Sequence, residues 1–344
     1  MLSGESPEPR LSAHPWSLYQ AEHLARRRSS VERGGFYTGM LKDDLRKQRY
    51  AYEISLVPVG AEWSRASEVI FALLNDFNHT GYDRDPAAIL CDFVDGLLEE
   101  SAGGEDLLLE LHSLPHEVNR AKSRRFGRPE PSEGQSESLP TLGLIPNWSV
   151  RQIRSSLSQV SPDAGQPPVI IPGSRVHRLR LRSPNLGHWT QAVGELRQVD
   201  ATKVIGADVD RLSWEGYSFS KVVETQNLAV AATTAPIGWD GRGTFSELVT
   251  SPYLAFRRLR FVRFWAEAVQ DSVAFLNQFT SNESLYSSDA FTFSLSGLPA
   301  PRDLTDAMRD IRSGSLTVEQ AHNRYFFPKH ATRRVASADE GEQT

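Results

Sequence analysis

A single cysteine, Cys91, occurs in the 344 residues, which excludes an internal disulfide framework and any zinc or iron–sulfur centre built on several thiolates. A reducing compartment is the corresponding expectation. Lysine is also scarce, six of the 38 cations, so the positive charge is carried almost wholly by guanidinium groups. Apolar runs are short: none approaches the roughly 18 residues of a membrane span, and the first ten residues, MLSGESPEPR, lack the features of a signal peptide. No membrane association is expected. Catalytic signatures are missing too. There is no G-x-S-x-G elbow, no H-E-x-x-H helix and no phosphate loop with its Lys-Ser/Thr, and the glycines of Gly238-Trp239-Asp240-Gly241-Arg242-Gly243 do not have dinucleotide-loop spacing. That stretch is read as a flexible loop.

What is present is a length suited to about two domains and a strong segregation of charge. The formal net charge is −5, yet residues 51–118 hold two Lys/Arg against fourteen Asp/Glu, and residues 119–200 hold twelve against six. One reading is a solvated acidic surface; the other is self-assembly, with the acidic block of one copy facing the basic block of another, or an acidic wall past which nucleic acid slides. Asp208 and Asp210 are spaced as a carboxylate pair, and His112 and His116 as two ligands on a helix face, but Pro115 lies between the histidines and no acidic base accompanies them. All four are read as ordinary surface or core residues. No cofactor and no metal is expected. Cys91 falls on an apolar helical stripe, where burial accounts for it.

Residues 1–49 are expected to form an N-terminal arm with a short helix over Trp16–Arg28, followed by an acidic α/β region over 50–126. Tyr50 to Val59 has the alternation of a strand. Ser64 through Phe77 reads as a helix capped by Ser64, with Ala66, Val69, Ile70, Leu73, Leu74 and Phe77 on one face. Asp85-Pro86 opens another helix, which Gly103-Gly104 ends. Leu107 to His112 suits a buried strand or part of a helix. Residues 127–140 are a linker, GRPEPSEGQSESL having almost no apolar content. Within 141–250, Val150 to Leu157 is read as a short helix, Val169–Ser174 and Val176–Arg182 as strand, turn, strand, and Gly216–Ala232 as a helix.

The last region, 251–330, begins with the longest regular element. From Ser251-Pro252 to about Phe279 there is no glycine and no further proline, and Leu254, Phe261, Phe264, Trp265 and Phe275 recur at helical spacing as a buried face. Arg257, Arg258, Arg260 and Arg263 point several ways around it and are the candidate contacts to another subunit or to DNA. A strand over Phe291–Leu298, a helix over Arg302–Ile311 and a helix started by Thr317 with Gln320 in a capping box follow. Residues 331–344 are a polar tail, expected to be disordered.

The series formed by Phe275-Leu276-Asn277-Gln278-Phe279, FTFSLSGLPAPRD, a helix and SGSLTVEQAHNRY resembles the stem helix, clip strand and second stem helix of tailed-phage portal proteins, the head-to-tail connectors. GEDLLLELHSL followed after a gap by LGLIPNWSVRQI is similar to the portal wing, and VIIPGSRVHRLRL looks like the portal strand just before the central helices, so the resemblance spans residues 50–328. It implies an α+β, mainly helical, portal-like fold with small mixed or antiparallel sheets and a long stem-like helix over 251–279. It also implies a homo-oligomeric ring that passes double-stranded DNA without reading its sequence and docks a packaging motor and a tail or neck. Portals are structural, so no enzymatic activity is expected. The location implied is the cytoplasm of a bacterial host, or the virion of a phage. The rival reading is an intracellular interaction scaffold, as in a prokaryotic conflict system, which size exclusion with light scattering would separate from a ring. An enzyme with an unrecognised site is the third, which metal analysis addresses.

Overall fold

The structure, a computed structural model, describes residues 36–74, 77, 85–101, 107–113, 140–145, 149–153, 155–159, 168–179, 186–201, 228–241, 251–281 and 290–326. The expected helix over Trp16–Arg28, the linker after residue 126 as far as 139, most of the helix over Gly216–Ala232, and the polar tail lie outside the described residues. Among the described residues the fold is mixed α+β, helical with small antiparallel sheets.

The long helix is present as α5, Ser251–Thr280, whose thirty residues make a rod of about 45 Å. Pro252 sits in its first turn, where a missing N–H leaves no hydrogen bond unmade. The chain before it supplies α1 (Phe36–Ala51), β1 (Ser55–Val59), α2 (Trp63–Leu73), α3 (Pro86–Ser101), β2 (Leu107–Ser113), β3 (Pro140–Ile145), β4 (Val150–Ile153), β5 (Ser156–Gln159), β6 (Val169–Pro172), β7 (Val176–Leu179) and α4 (Leu186–Ala201). After α5 come β8 (Thr292–Ser296), α6 (Pro301–Ser313), the short α7 (Val318–Ala321) and a π turn, His322–Phe326.

One main core draws on residues from Leu41 to Phe326 and has α5 at its centre. Phe264 stacks on Trp189 of α4 with ring centroids 5.4 Å apart, and Trp265 stacks on Tyr52 at 5.9 Å. The polar tips of both partners are satisfied: the Trp189 indole donates to Leu98 O at 2.8 Å, and the Tyr52 hydroxyl donates to Tyr325 O. α6 lies along α5 and buries Leu304, Ala307, Met308 and Ile311, spaced as one helical face. Gly314 stops it in the left-handed region at φ 77°, as a C-terminal glycine should. The Thr317 capping box is formed, with the Gln320 N–H donating to Thr317 Oγ1 at 3.1 Å and the Thr317 N–H donating to Gln320 Oε1 at 2.9 Å.

The three sheets are small: β1 pairs with β8, β2 lies between β3 and β7, and β5 lies between β4 and β6, every pair antiparallel. Alternation along β2 settles its strand character. Leu107, Leu109 and Leu111 face the main core with Leu142 and Leu144 of β3, while Leu108 turns the other way into a second cluster with Ile145, Leu157 and Ile171. β8 is anchored to the end of α5 by Asn277, whose amide donates to Phe293 O at 3.0 Å and accepts from the Phe293 N–H at 2.7 Å. Asn277→Ala leaves both backbone groups without these partners. It is expected to lower the unfolding free energy by about 1–3 kcal/mol, which urea denaturation would read.

Several expectations are corrected. The arm does not run to residue 49, because 36–51 form α1 with Leu41 and Leu45 fully packed in the core. The strand expected from Tyr50 begins only at Ser55. α2 is shorter than expected, and Ser64 does not cap it: Glu62 occupies that position without a side-chain bond. Val150 to Leu157 is a hairpin, not a helix. Val150, Ile153 and Leu157 have helical spacing, but Leu157 is buried in register with Ile171 and Val150 packs against the same cluster, while Ile153 stays exposed. The two strands around Gly173 are present but join different sheets, β6 with β5 and β7 with β2.

Candidate functional site

The four arginines of α5 lie within seven residues, so at 100° per residue they must face different surroundings. Arg257 points inward and is 3% exposed. Its guanidinium donates to Thr234 Oγ1 at 3.1 Å and to Trp239 O. Burial pushes its pKa down, partly offset by Tyr253 and Asp240. This removes Arg257 from the candidate subunit or DNA contacts. The same bonds overturn the expectation of a flexible loop at 237–241: Ile237 and Trp239 are buried, and the Trp239 indole donates to Asp44 Oδ2 at 3.0 Å. Gly238 adopts φ +85° and presses so closely on α5 that a Cβ there would lie 2.2 Å from Arg257 O. Only glycine combines that backbone with that contact.

Arg258, Arg260 and Arg263 remain accessible. Arg258 is half exposed and pairs with Asp240 at 3.4 Å. Arg260 donates to Ala235 O at 2.9 Å and lies over the Phe256 ring. Arg263 bonds Glu267, one turn on, at 2.7 Å. The expected apolar face is buried at Phe261, Phe264, Trp265 and Phe275, whereas Leu254 is half buried. That face is covered by α1, α3, α4 and α6 of the same chain, so it is not available to a neighbouring copy.

A cleft of about 660 Å³ opens between α1, the 238–240 turn, α5 and the π turn. Leu254, Phe261 and Phe326 form its apolar floor, and Asp44, Lys47, Arg258 and His322 line it with both signs of charge. Three of these groups already have partners, Asp44 the Trp239 indole, Lys47 the Asp43 carboxylate and Arg258 the Asp240 carboxylate. No group of three metal-ligating side chains occurs among the described residues. Cys91 is buried in α3, and burial drives its thiol pKa far up, away from the thiolate that nucleophilic chemistry needs. His112 lies in β2 and is 2% exposed, so helical i, i+4 spacing does not apply to it. His116, Asp208 and Asp210 lie outside the described residues.

The acidic block finds part of its counter-charge within the chain. Asp92 and Asp95, one turn apart on α3, meet Arg49 at 3.0 Å and Arg46 at 3.7 Å, one turn apart on α1. Matching spacing on two neighbouring helices makes this ladder, and these carboxylates are thereby occupied within one copy. Sequence inspection by blocks separated the two partners and so missed them.

The surface left apolar is elsewhere. β1 and β8 form a two-stranded ribbon whose inner face, Leu56 with Phe293, packs on the core. Its outer face carries Val57 and Val59, 47% and 56% exposed, and Trp63, which opens α2, is 50% exposed. The alternation of Ser55-Leu56-Val57-Pro58-Val59 contained this signal, but the register was needed to show which face was covered. Among the described residues no helix is long and apolar enough to cross a membrane. No protein-family model, curated protein or solved structure matches the chain.

Proposed function

We propose that the chain is a structural subunit of a homo-oligomeric ring of the portal kind, a passage for double-stranded DNA and a docking platform for a packaging motor and a tail or neck. The observation that carries this reading is the uncovered apolar face of the β1–β8 ribbon. Val57 and Val59 project outward at alternate positions, and among the described residues no further strand pairs with β1 or β8, which leaves their outer edges for another chain. The order of long helix, strand, helix and capped helix agrees with the resemblance noted in the sequence. The contact surface is the ribbon rather than the apolar face of α5.

Light scattering after size exclusion is expected to give a species many times the 38.4 kDa chain mass, with annular particles in negative-stain images. The double variant Val57→Glu, Val59→Glu is expected to keep its helical signal and melting behaviour, because both side chains already face solvent, and to weaken assembly by roughly tenfold or more through buried unpaired charge. A monodisperse monomer of the unaltered chain at micromolar concentration would remove the ring reading.

A further inference from the structure

Two arginines from α5 and two from α6 line a second cleft, of about 540 Å³, on the far side of the 235–238 turn. Arg260 and Arg263 come from α5, Arg309 and Arg312 from α6, and His188 of α4 completes the rim. Among the described residues no carboxylate lines this cleft. Arg260 and Arg312 both lie over the ring of Phe256, at 5.0 and 5.1 Å from its centroid, so one aromatic side chain holds two cations in place. Neither has a carboxylate partner among the described residues. Arg263 and Arg309 are each tethered by an acid on their own helix, Glu267 and Asp306, which orients them.

With Arg263 and Arg309 paired to their own acids, the charge left uncompensated in the cleft is that of Arg260 and Arg312, and an anion between them offsets it. Burial, and after it repulsion from Arg312 and Arg263, lowers the Arg260 pKa, with Tyr253 acting in the opposite sense. Contact with the Phe256 ring holds both guanidiniums near one point; Arg260 spends one N–H on Ala235 O, and its other donors and those of Arg312 are left for an acceptor. A carboxylate has two oxygens and satisfies one such fork. A phosphate group presents several oxygens around one centre and can accept from forks on two helices at once.

We infer that the cleft between α5 and α6 formed by Arg260, Arg263, Arg309 and Arg312 around Phe256 is a binding site for phosphate oxyanions. The inference rests on these residues alone and stands whether or not the chain forms a ring. Two sources carry this chemistry, a free phosphate compound and the phosphodiester backbone of nucleic acid, and the same variants separate them. Arg309 and Arg312 are exposed, so Arg309→Ala and Arg312→Ala spare the core, which circular dichroism and thermal melting would check. Arg302→Ala, also exposed and on α6 but outside the cleft, controls for general surface charge.

Calorimetric titration of the full chain with inorganic phosphate and, separately, with a short mixed-sequence DNA duplex is the test. Saturable binding is expected, weakened about tenfold by each cleft variant and unchanged by Arg302→Ala. Loss of both phosphate and duplex binding in the cleft variants identifies the nucleic-acid backbone as a ligand. The salt slope of duplex binding should then fall by about one per arginine removed. Loss of phosphate binding alone identifies a free phosphate compound. Absence of saturable binding to either probe, or equal losses in the cleft variants and the Arg302→Ala control, overturns the assignment.

Discussion

Trp265→Ala is expected to lower the unfolding free energy by about 3–5 kcal/mol, the range for truncating a large aromatic side chain at a well-packed site. The indole is 1% exposed, sits at the middle of α5 and stacks on Tyr52, whose hydroxyl in turn reaches the backbone at Tyr325. Its removal therefore opens a cavity where the end of α1, the long helix and the π turn meet. Three segments far apart in sequence would lose a shared partner, and neighbouring helices cannot collapse into the space without breaking the Phe264–Trp189 stack beside it. Urea denaturation compared with the unaltered protein checks this, and a change below about 1 kcal/mol would mean that the core around Tyr52 is not packed as described.

Arg257→Glu is expected to be similarly damaging, by about 3–5 kcal/mol, although arginine in the middle of a surface helix would ordinarily be dispensable. The side chain is a clamp. Its guanidinium supplies donors to Thr234 Oγ1 and Trp239 O in a buried setting, and a carboxylate there would face those oxygens with no donor of its own. Arg257→Met keeps most of the stem and loses only the hydrogen bonds, so about 1–3 kcal/mol is expected. Arg258→Glu, one residue on and half exposed, should cost under about 1 kcal/mol, because its pair with Asp240 is screened by water. Thermal melting of the three variants separates the outcomes: equal, small effects at 257 and 258 would return Arg257 to the surface.

The elements most legible in the sequence were those whose signal is local. α5 lacks internal glycine and carries aromatic residues at helical spacing; Asp85-Pro86 starts α3, with the Ala87 N–H donating to Asp85 Oδ1 at 3.0 Å; Thr317 and Gln320 form their box. Each depends on residues within a turn or two of one another. The misread elements are those in which a distant partner decided. Val150–Leu157 satisfies a helical spacing as well as a hairpin, and only the arrival of Ile171 chose the hairpin. Glycines at 238 and 241 looked like flexibility, yet Gly238 is there because α5 comes too close for a Cβ. The candidate site followed the same rule. Helical rotation predicted that Arg257, Arg258, Arg260 and Arg263 would diverge, but not which of them would be interior, and it gave no reason to join Arg260 with Arg312 across a strand and a helix start.

By itself the sequence determined that helical and strand segments both occur, the span of the long helix, the burial of Cys91, and the absence of recognised catalytic motifs. These follow from composition and short-range periodicity, which act within one element. Tertiary structure alone decided that the apolar face of α5 is consumed inside the chain, that the α1 arginines neutralise Asp92 and Asp95, that Val57 and Val59 are left exposed on the outer face of the β1–β8 ribbon, and that four arginines from two helices share one cleft. The physical reason is common to all four. Burial, ion pairing and like-charge crowding depend on distances between elements, and those distances are fixed only when the apolar faces of all the helices and ribbons compete at once for one core.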